Sequence, residues 1–96
     1  MPRAIVLDTR DNVATLIDDG KKGEKVLLAD GASNLSLVAD VPYGHKCAIK
    51  PVSQGGEILK YGQVIGRATT AIKAGEHVHV HNVEALRARG DIKGGN

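Results

Sequence analysis

The 96-residue sequence has no phenylalanine and no tryptophan, and two tyrosines, Tyr43 and Tyr61, stand in their place. A hydrophobic core must therefore be built from Ala, Val, Ile and Leu, so we expect a small aliphatic core that is modestly stable or supported by a partner. Stacking aromatics and a basic stripe are both missing, since the 13 basic and 11 acidic residues are scattered. These absences argue against a nucleic-acid-binding protein.

Cys47 is the only cysteine in the sequence, which excludes an intrachain disulfide and is typical of a reducing compartment. Its apolar neighbours predict a buried, inert thiol rather than a nucleophile. No apolar run is long enough to span a membrane, and none has the form of a signal peptide. We expect a cytoplasmic protein of one domain, because so short a chain cannot hold separate catalytic and binding domains.

One short helix is predicted near the N-terminus. Asp11 can cap it, and Gly20 is placed as its C-terminal glycine. Between these two residues the apolar side chains recur at helical spacing, at Val13, Leu16 and Ile17. We expect this to be the only substantial helix of the chain.

Short strands and turns account for the rest of the prediction. The strands are expected at residues 4–7 (an edge or terminal strand), 25–29, 35–39 and 45–49, with an Asp30-Gly31 turn between the second and third. Strands at about ten-residue intervals favour a small sandwich or barrel-like fold over a parallel α/β sheet. The glycines and alternating charges of residues 87–96 predict a flexible tail after a domain of residues 1–86.

A short sequence pattern recurs with weak similarity in the second half of the chain, and we refer to it as the internal echo. Residues 52–58 and 72–78 share the pattern Val/Ile-x-x-Gly-x-x-Ile/Val, and residues 23–26 repeat the Gly-Glu-x-Val form. Each copy predicts a glycine turn that delivers the chain into a strand whose apolar residue packs inward.

Three of the four histidines alternate with valine in residues 75–82. On a strand, His77, His79 and His81 would share one face, and Val78 and Val80 would share the other face, toward a core.

Two histidine side chains at positions i and i+2 of a strand leave the backbone at points about 7 Å apart. Their imidazoles are then close enough to share one metal ion or one substrate. His79 and His81 are the first choice for this role. A third ligand would have to be His77, His45 or a group from another chain, because stable sites use three or four ligands. Solvent-facing polar residues on an amphipathic strand explain the same letters equally well.

Three further stretches each admit a functional and an ordinary interpretation. His45 and Lys46 follow a tight turn and either line the mouth of a cleft or begin a polar strand. Lys60 and Tyr61 either hold a carboxylate or donate a proton, or simply form a turn. Asn82 either fixes an imidazole tautomer or binds a hydroxyl, or closes a strand with a turn.

Three motifs in order carry a family resemblance. They are Val-Pro-Tyr-Gly-His-Lys at residues 41–46, Lys-Tyr-Gly-Gln-x-Ile-Gly-x-Ala at 60–68 and Gly-Glu-x-Val-His-Val-His-Asn at 75–82. Together they resemble the SAF domain found at the N-terminus of altronate and galactarate dehydratases, and as the separate small (alpha) subunit of sulfolactate sulfo-lyase. The likeness runs from residue 11 to residue 82 and is nearest in form to the free-standing small subunit.

The resemblance implies a mainly β structure, a small β-clip domain akin to type III antifreeze proteins, with the predicted short helix near its N-terminus. It also implies lyase chemistry on a 2-hydroxy acid: loss of water from a sugar acid such as altronate or galactarate, or of sulfite from sulfolactate. Divalent iron, or another divalent metal, is the cofactor that it implies.

The candidate site residues take their roles from that resemblance. The catalytic candidates are His45, His79 and His81, the metal candidates are His79 and His81, and the substrate-binding candidates are Lys60, Tyr61 and Asn82. The chain has too few carboxylate and cysteine ligands for a complete iron site, and it has little room for a six-carbon acid. We therefore expect a larger catalytic subunit to house most of the active site and to supply most of the metal's ligands.

Two other functions remain open at this point. One is a non-catalytic carbohydrate-binding or assembly module, because SAF-like domains also occur in sialic acid synthases and in pilus and flagellar proteins. The other is a small metal-dependent enzyme built around the histidine strand alone.

Overall fold

The computed structural model describes residues 1–28, 31 and 33–85, and nine short strands run through this part of the chain. They are β1 (Arg3–Ile5), β2 (Val13–Leu16), β3 (Lys25–Leu28), β4 (Leu35–Ser36), β5 (Lys46–Ala48), β6 (Glu57–Lys60), β7 (Gln63–Ala68), β8 (His77–Val78) and β9 (Val83–Ala85). Six form a sheet in the order β4-β3-β1-β2-β5-β8, and three form a second sheet in the order β6-β7-β9. The β1–β3 pairing is parallel, and the other strand pairings are antiparallel.

The predicted mainly β fold is confirmed, whereas the predicted short helix near the N-terminus is wrong. Residues 1–28, 31 and 33–85 contain no helix, and therefore none long and apolar enough to cross a membrane. Val13 and Leu16 lie in β2, where nearly every side chain is buried. A strand that is buried on both faces carries apolar residues at successive positions. Such a run also fits the apolar spacing of a helix, which explains the wrong prediction.

Asp11 does not cap a helix but joins two distant loops. Its buried carboxylate accepts hydrogen bonds from the backbone N–H groups of Leu7 and Asp8 and from those of Tyr61 and Gly62, more than 45 residues away. Tyr61 and Gly62 have φ angles of 59° and 70°, as the two central residues of a type I′ hairpin turn require. The carboxylate thus fastens the β6–β7 turn to the loop after β1.

The remaining strand predictions are confirmed in part. The predicted pairing of the second and third strands is the antiparallel pair β3–β4, although β4 is shorter than expected. The first strand is not at an edge, because β1 lies between β2 and β3. Ala29, Asp30 and the predicted tail at residues 87–96 lie outside the described residues.

Two hydrophobic clusters share the β2–β5 ladder as a common wall. Val13 pairs with Ala48, and both belong to one cluster; Ala14 pairs with Cys47, and both belong to the other. Because successive side chains on a strand point to opposite faces, the two clusters lie on opposite sides of this ladder. The first cluster also contains Ala4, Leu16, Val26, Leu37 and Val41, and the second Val52, Ile58, Ala68, Ile72 and Val78.

The internal echo corresponds to a repeated structural unit. Gly55 and Gly75 both have positive φ, 84° and 87°, and each is the third residue of a four-residue turn after which a strand begins. The apolar residue three positions after each glycine, Ile58 or Val78, is buried. The two copies also contact each other, because Val52 and Ile72 exchange both backbone hydrogen bonds.

Candidate functional site

The histidine-rich stretch is a two-residue strand followed by a tight turn, rather than the longer strand that was predicted. β8 ends at Val78, which is 1% exposed as expected, but Val80 is 81% exposed, so the prediction that it faces the core is wrong. The turn forms because Asn82 bonds back to His79: its Oδ1 accepts the His79 N–H at 3.0 Å, and its own N–H donates to the His79 carbonyl at 3.1 Å. The chain thus reverses direction where the alternation would have continued.

Asn82 is therefore buried within the turn and has its amide engaged by the backbone. In addition to the bond with His79, its Nδ2 donates to the His77 carbonyl at 2.9 Å. The side chain is 1% exposed. Asn82 thus closes the turn and places His79 relative to His77, and its role in substrate binding stays a prediction.

Antiparallel pairing of β5 with β8 brings the fourth histidine, His45, into contact with His77 and His79. Cys47 lies opposite His77 in this ladder, and His45 lies two residues before Cys47, so His45 and His77 extend from the same face. The Nδ1 of His45 lies 2.9 Å from the Nε2 of His77. Two segments 32 residues apart thereby form one cluster of imidazoles.

His79 completes a compact group of three. One ring nitrogen from each of His45, His77 and His79 can be chosen so that all three lie within 4.8 Å of one another. The rings of His77 and His79 are stacked, with centroids 5.4 Å apart, and the centroid of His81 lies 5.3 Å from that of His77. His81 thus borders the cluster. The group with metal-ligand spacing is His45, His77 and His79, and the pairing of His79 with His81 stays a prediction.

This group of three could hold one metal ion. Imidazole nitrogens that bind one ion at about 2.1 Å in tetrahedral geometry lie about 3.4 Å apart, so small side-chain rotations of the observed group would reach that spacing. Three imidazoles suit ions such as zinc or iron and leave a coordination position for water, substrate or a ligand from another chain. Among the residues with described positions, the side chains thus fit an open metal centre better than a closed structural one.

The surroundings of His77 favour its neutral form. Burial lowers the pKa of His77 below its ordinary value of 6.5, and the nearby charges of His45, His81, His79 and Lys46 lower it further. A lower pKa keeps the imidazole neutral, which is the form that binds metals. Burial raises the pKa of the Cys47 thiol to about 11, and the prediction that this thiol is buried is confirmed.

Lys46 stands near this cluster, and Lys60 acts on Lys46. Lys46, on β5, is half-buried; burial lowers the pKa of its ammonium group, and the charge of Lys60 lowers it further. Lys60 also lies over the ring of Tyr61, with its Nζ 5.7 Å from the centroid. Tyr61 itself is 64% exposed in the hairpin turn. The predicted substrate-binding pair is thus placed at an exposed turn within electrostatic reach of Lys46.

An apolar groove adjoins the imidazoles. Its volume is about 240 Å³, and His79 and Lys46 are its two basic lining residues. The other lining residues are aliphatic: Ile58, Ile65, Val78, Val80, Val83 and Ala85. We refer to this set of eight residues as the β8–β9 groove. His79 belongs both to the groove and to the metal-binding group.

Sequence reasoning gave too little weight to two residues of this site. The sequence predicted His77 only as one possible third ligand, and it favoured the interpretation of Lys46 as the start of a polar strand. Their importance follows from the β5–β8 register, which places His77 opposite Cys47 and Lys46 opposite Val78. The internal echo was the sequence signal for the β5–β8 register. Its glycine, Gly75, marks where β8 begins, and the start of a strand determines which residues lie opposite each other.

Comparison with known families agrees with the mainly β fold. Residues 2–86 match the family model described as the altronate/galactarate dehydratase SAF domain. The chain belongs to this family. As a SAF domain, it is 39% identical over 84 residues to altronate dehydratase of Bacillus subtilis (strain 168), which covers 88% of this chain but only 16% of that enzyme.

A second kind of relative has nearly the same length as this SAF domain. The chain is 33% identical over 88 residues to the (2R)-sulfolactate sulfo-lyase subunit alpha of Chromohalobacter salexigens, covering 86% of this chain and 94% of that subunit. A subunit of the same name from Paracoccus pantotrophus is 40% identical over 53 residues, covering 55% of this chain and 79% of the subunit. The word subunit in both names implies that those proteins work with a partner chain.

Proposed function

We propose that this SAF domain is the small subunit of a cytoplasmic lyase that acts on a hydroxy acid, and that it completes an active site in a larger catalytic subunit. The observation that carries the proposal is the imidazole cluster, which lies at the surface beside a shallow groove. Its substrate would be sulfolactate, or a sugar acid such as altronate or galactarate. The sulfo-lyase alpha subunit of Chromohalobacter salexigens, which the match covers to 94%, supports the subunit role.

The chemistry requires groups of the kind that this cluster provides. In the elimination, the C–H bond beside the carboxylate and the C–O or C–S bond to the leaving group break, and a C=C bond forms. A neutral imidazole can take the proton, and a protonated one can assist departure of the leaving group. His45 and His79 are positioned to share these roles, since their ring centroids lie 4.5 Å apart.

A divalent metal, for which we propose iron, fits the same residues. With the ion bound, His45, His77 and His79 would serve as its ligands instead of carrying protons, His81 would be the imidazole of the cluster left for acid–base work, and the larger subunit would supply the remaining ligands. When bound, such an ion acts as a Lewis acid toward a hydroxyl or carboxylate oxygen. Lys46 and Lys60 would attract the anionic substrate toward the imidazoles.

Affinity purification of the tagged chain from its native host, followed by lyase assays on sulfolactate, altronate and galactarate, tests the proposal. We expect a larger chain to co-purify and the complex to turn over one of these acids. His79→Ala should abolish turnover without unfolding the domain, because His79 is exposed, whereas Tyr43→Ala, at an exposed turn residue outside the cluster, should not.

Three results would count against the proposal. Full turnover by the 96-residue chain alone would contradict the need for a larger subunit. Normal turnover by the His79→Ala complex would remove the cluster from the chemistry. Co-purification with a partner that has no lyase activity would instead favour the carbohydrate-binding or assembly module.

A further inference from the structure

The β8–β9 groove is not suited to the hydroxy acids proposed as substrates. Six of its eight lining residues are aliphatic. A sugar acid or sulfolactate carries hydroxyl, carboxylate or sulfonate groups on nearly every carbon, and such groups lose their hydrogen bonds to water when they are placed against aliphatic walls. Its volume of about 240 Å³ also falls below the range of about 300–1,000 Å³ common for small-molecule pockets.

The groove instead has the features of a protein-docking surface. Val80 is 81% exposed, more than any other large hydrophobic residue of the described chain. It stands at the tip of the turn after β8, beside groove residues that are partly or fully buried, such as Val83 and Val78. An exposed aliphatic side chain at the rim of an aliphatic groove is typical of a surface that another polypeptide covers.

The charge of the groove specifies the chemistry of its occupant. Within the described chain, Lys46 has no carboxylate partner, since the two ion pairs found there are Arg3–Asp18 and Arg10–Asp8. None of the groove's described lining residues is acidic. A half-buried ammonium group covered by an apolar partner would lose its water without gaining a counter-charge, which is costly. A partner that covers the groove must therefore bring an acidic group to Lys46.

We propose that the β8–β9 groove docks a segment of the larger lyase subunit in which an aliphatic side chain lies next to an aspartate or glutamate. The aliphatic side chain packs against Val80 and Val83, and the carboxylate pairs with Lys46. Since His79 lines the groove and also belongs to the metal-binding group, docking brings the larger subunit directly to the open side of the imidazole cluster. This inference rests on the proposed function, because it takes the larger subunit as the occupant.

Binding measurements between the purified chain and the larger subunit that gives turnover with it test the inference. Val80→Asp should lower the affinity at least tenfold, because it removes an aliphatic contact and places a negative charge beside the partner's carboxylate. Val80→Lys removes the same contact but adds a favourable charge, so it should lower the affinity less than Val80→Asp. Val38→Asp, the same change at an exposed valine outside the groove, should leave the affinity unchanged.

Salt provides a second measurement on the same proteins. The wild-type affinity should fall as sodium chloride is raised, and Lys46→Met should weaken both the affinity and its salt dependence. An affinity for Val80→Asp equal to that of the wild type would overturn the docking site while leaving the proposed function intact. Equal losses for Val80→Asp and Val80→Lys, with no effect of salt, would overturn the acidic partner segment.

Two other outcomes would also reject the inference. A wild-type chain that sediments as a dimer, with a monomeric Val80→Asp variant, would assign the groove to a second copy of this chain. Failure of the wild-type chain to bind any larger lyase subunit would reject the proposed function, and the docking site with it.

Discussion

The Nδ1 of His45 and the Nε2 of His77 lie 2.9 Å apart, which is a hydrogen bond between two imidazoles that approach from different strands. One nitrogen must carry the shared proton and the other must accept it. A metal ion bound by both nitrogens would take the place of that proton. Protonation and metal binding therefore compete at this pair, and the competition can be measured.

We expect the chain to bind one divalent ion, with Zn²⁺ as a probe, and to release protons as it does so. His77→Ala should weaken binding more than tenfold, because His77 contacts all three other imidazoles. His81→Ala is the matched control and should have a smaller effect, since His81 lies outside the compact group of three. Calorimetric titrations in two buffers of different protonation enthalpy measure both affinity and proton release. An equal loss from both variants would contradict this assignment.

The stability of the metal-free chain should decline in mildly acidic solution because of His77. Its pKa in the folded chain is lower than its ordinary value of 6.5, so the unfolded chain binds this proton more readily. The contribution of His77 to the free energy of unfolding is therefore complete above pH 6.5. It is lost as the pH falls from there toward the lower pKa of His77 in the folded chain. Urea unfolding between pH 7.5 and pH 5 measures it.

Replacement of His77 by glutamine should flatten this part of the pH profile. The exposed Asp8 carboxyl, whose pKa the Arg10 guanidinium lowers to about 2, has its own decline below pH 3.8, so the two effects separate. A profile of the glutamine variant with the wild-type slope near pH 6 would show that another group is responsible.

Val78 and Val80, two residues apart, should respond in opposite ways to the same substitution. Val78→Asp places an unpaired charge in the second hydrophobic cluster and should prevent folding or cost about 4 kcal/mol or more. Val80→Asp should change the free energy of unfolding by less than about 0.5 kcal/mol, because the side chain is exposed to solvent. Circular dichroism melting curves measure both. A folded Val78→Asp variant would reverse the assignment of faces.

The difference between these valines also shows where sequence reasoning reached its limit. The alternation of His and Val correctly predicted a strand entry at residue 77 and a buried Val78. It could not predict that the strand stops there, because the stop depends on the hydrogen bonds between Asn82 and His79. An asparagine after an alternating run is compatible with either outcome.

Long-range pairing explains the other differences. The proximity of His45 to His77 follows from the β5–β8 register, which no local pattern specifies. The N-terminal helix was predicted because Asp11 matches a capping residue, but its partners, Tyr61 and Gly62, lie in the β6–β7 turn. The β class and the glycine turns were predictable because they depend on residues within a few positions of one another.

Asp11 should be among the most sensitive polar residues of the chain. Asp11→Asn introduces an N–H₂ group facing four backbone donors and should cost about 3 kcal/mol. Asp18→Asn removes an exposed ion pair with Arg3 and should cost much less, because solvent screens such a pair. Urea denaturation of the two variants gives the comparison. Similar losses would show that the carboxylate of Asp11 is not what fastens the two loops.

Asn82 should affect metal binding although it is no ligand. Asn82→Ala removes the acceptor of the His79 N–H and should loosen the turn that carries the third imidazole. We expect weaker Zn²⁺ binding, by roughly tenfold, as found when supporting hydrogen bonds of metal ligands are removed. Asn82→Asp keeps the acceptor and should restore part of the affinity, a rescue that a general loss of stability would not produce.

The wall shared by the two hydrophobic clusters has a consequence for how the domain unfolds. The β2–β5 ladder presents Ala14 and Cys47 to one cluster and Val13 and Ala48 to the other, so neither cluster can be exposed while the other keeps its own wall. A chain with two separate cores could melt in two steps. The domain should instead melt in a single cooperative transition. A cavity made in the cluster on one side of the ladder should reduce the rigidity of the cluster on the other side.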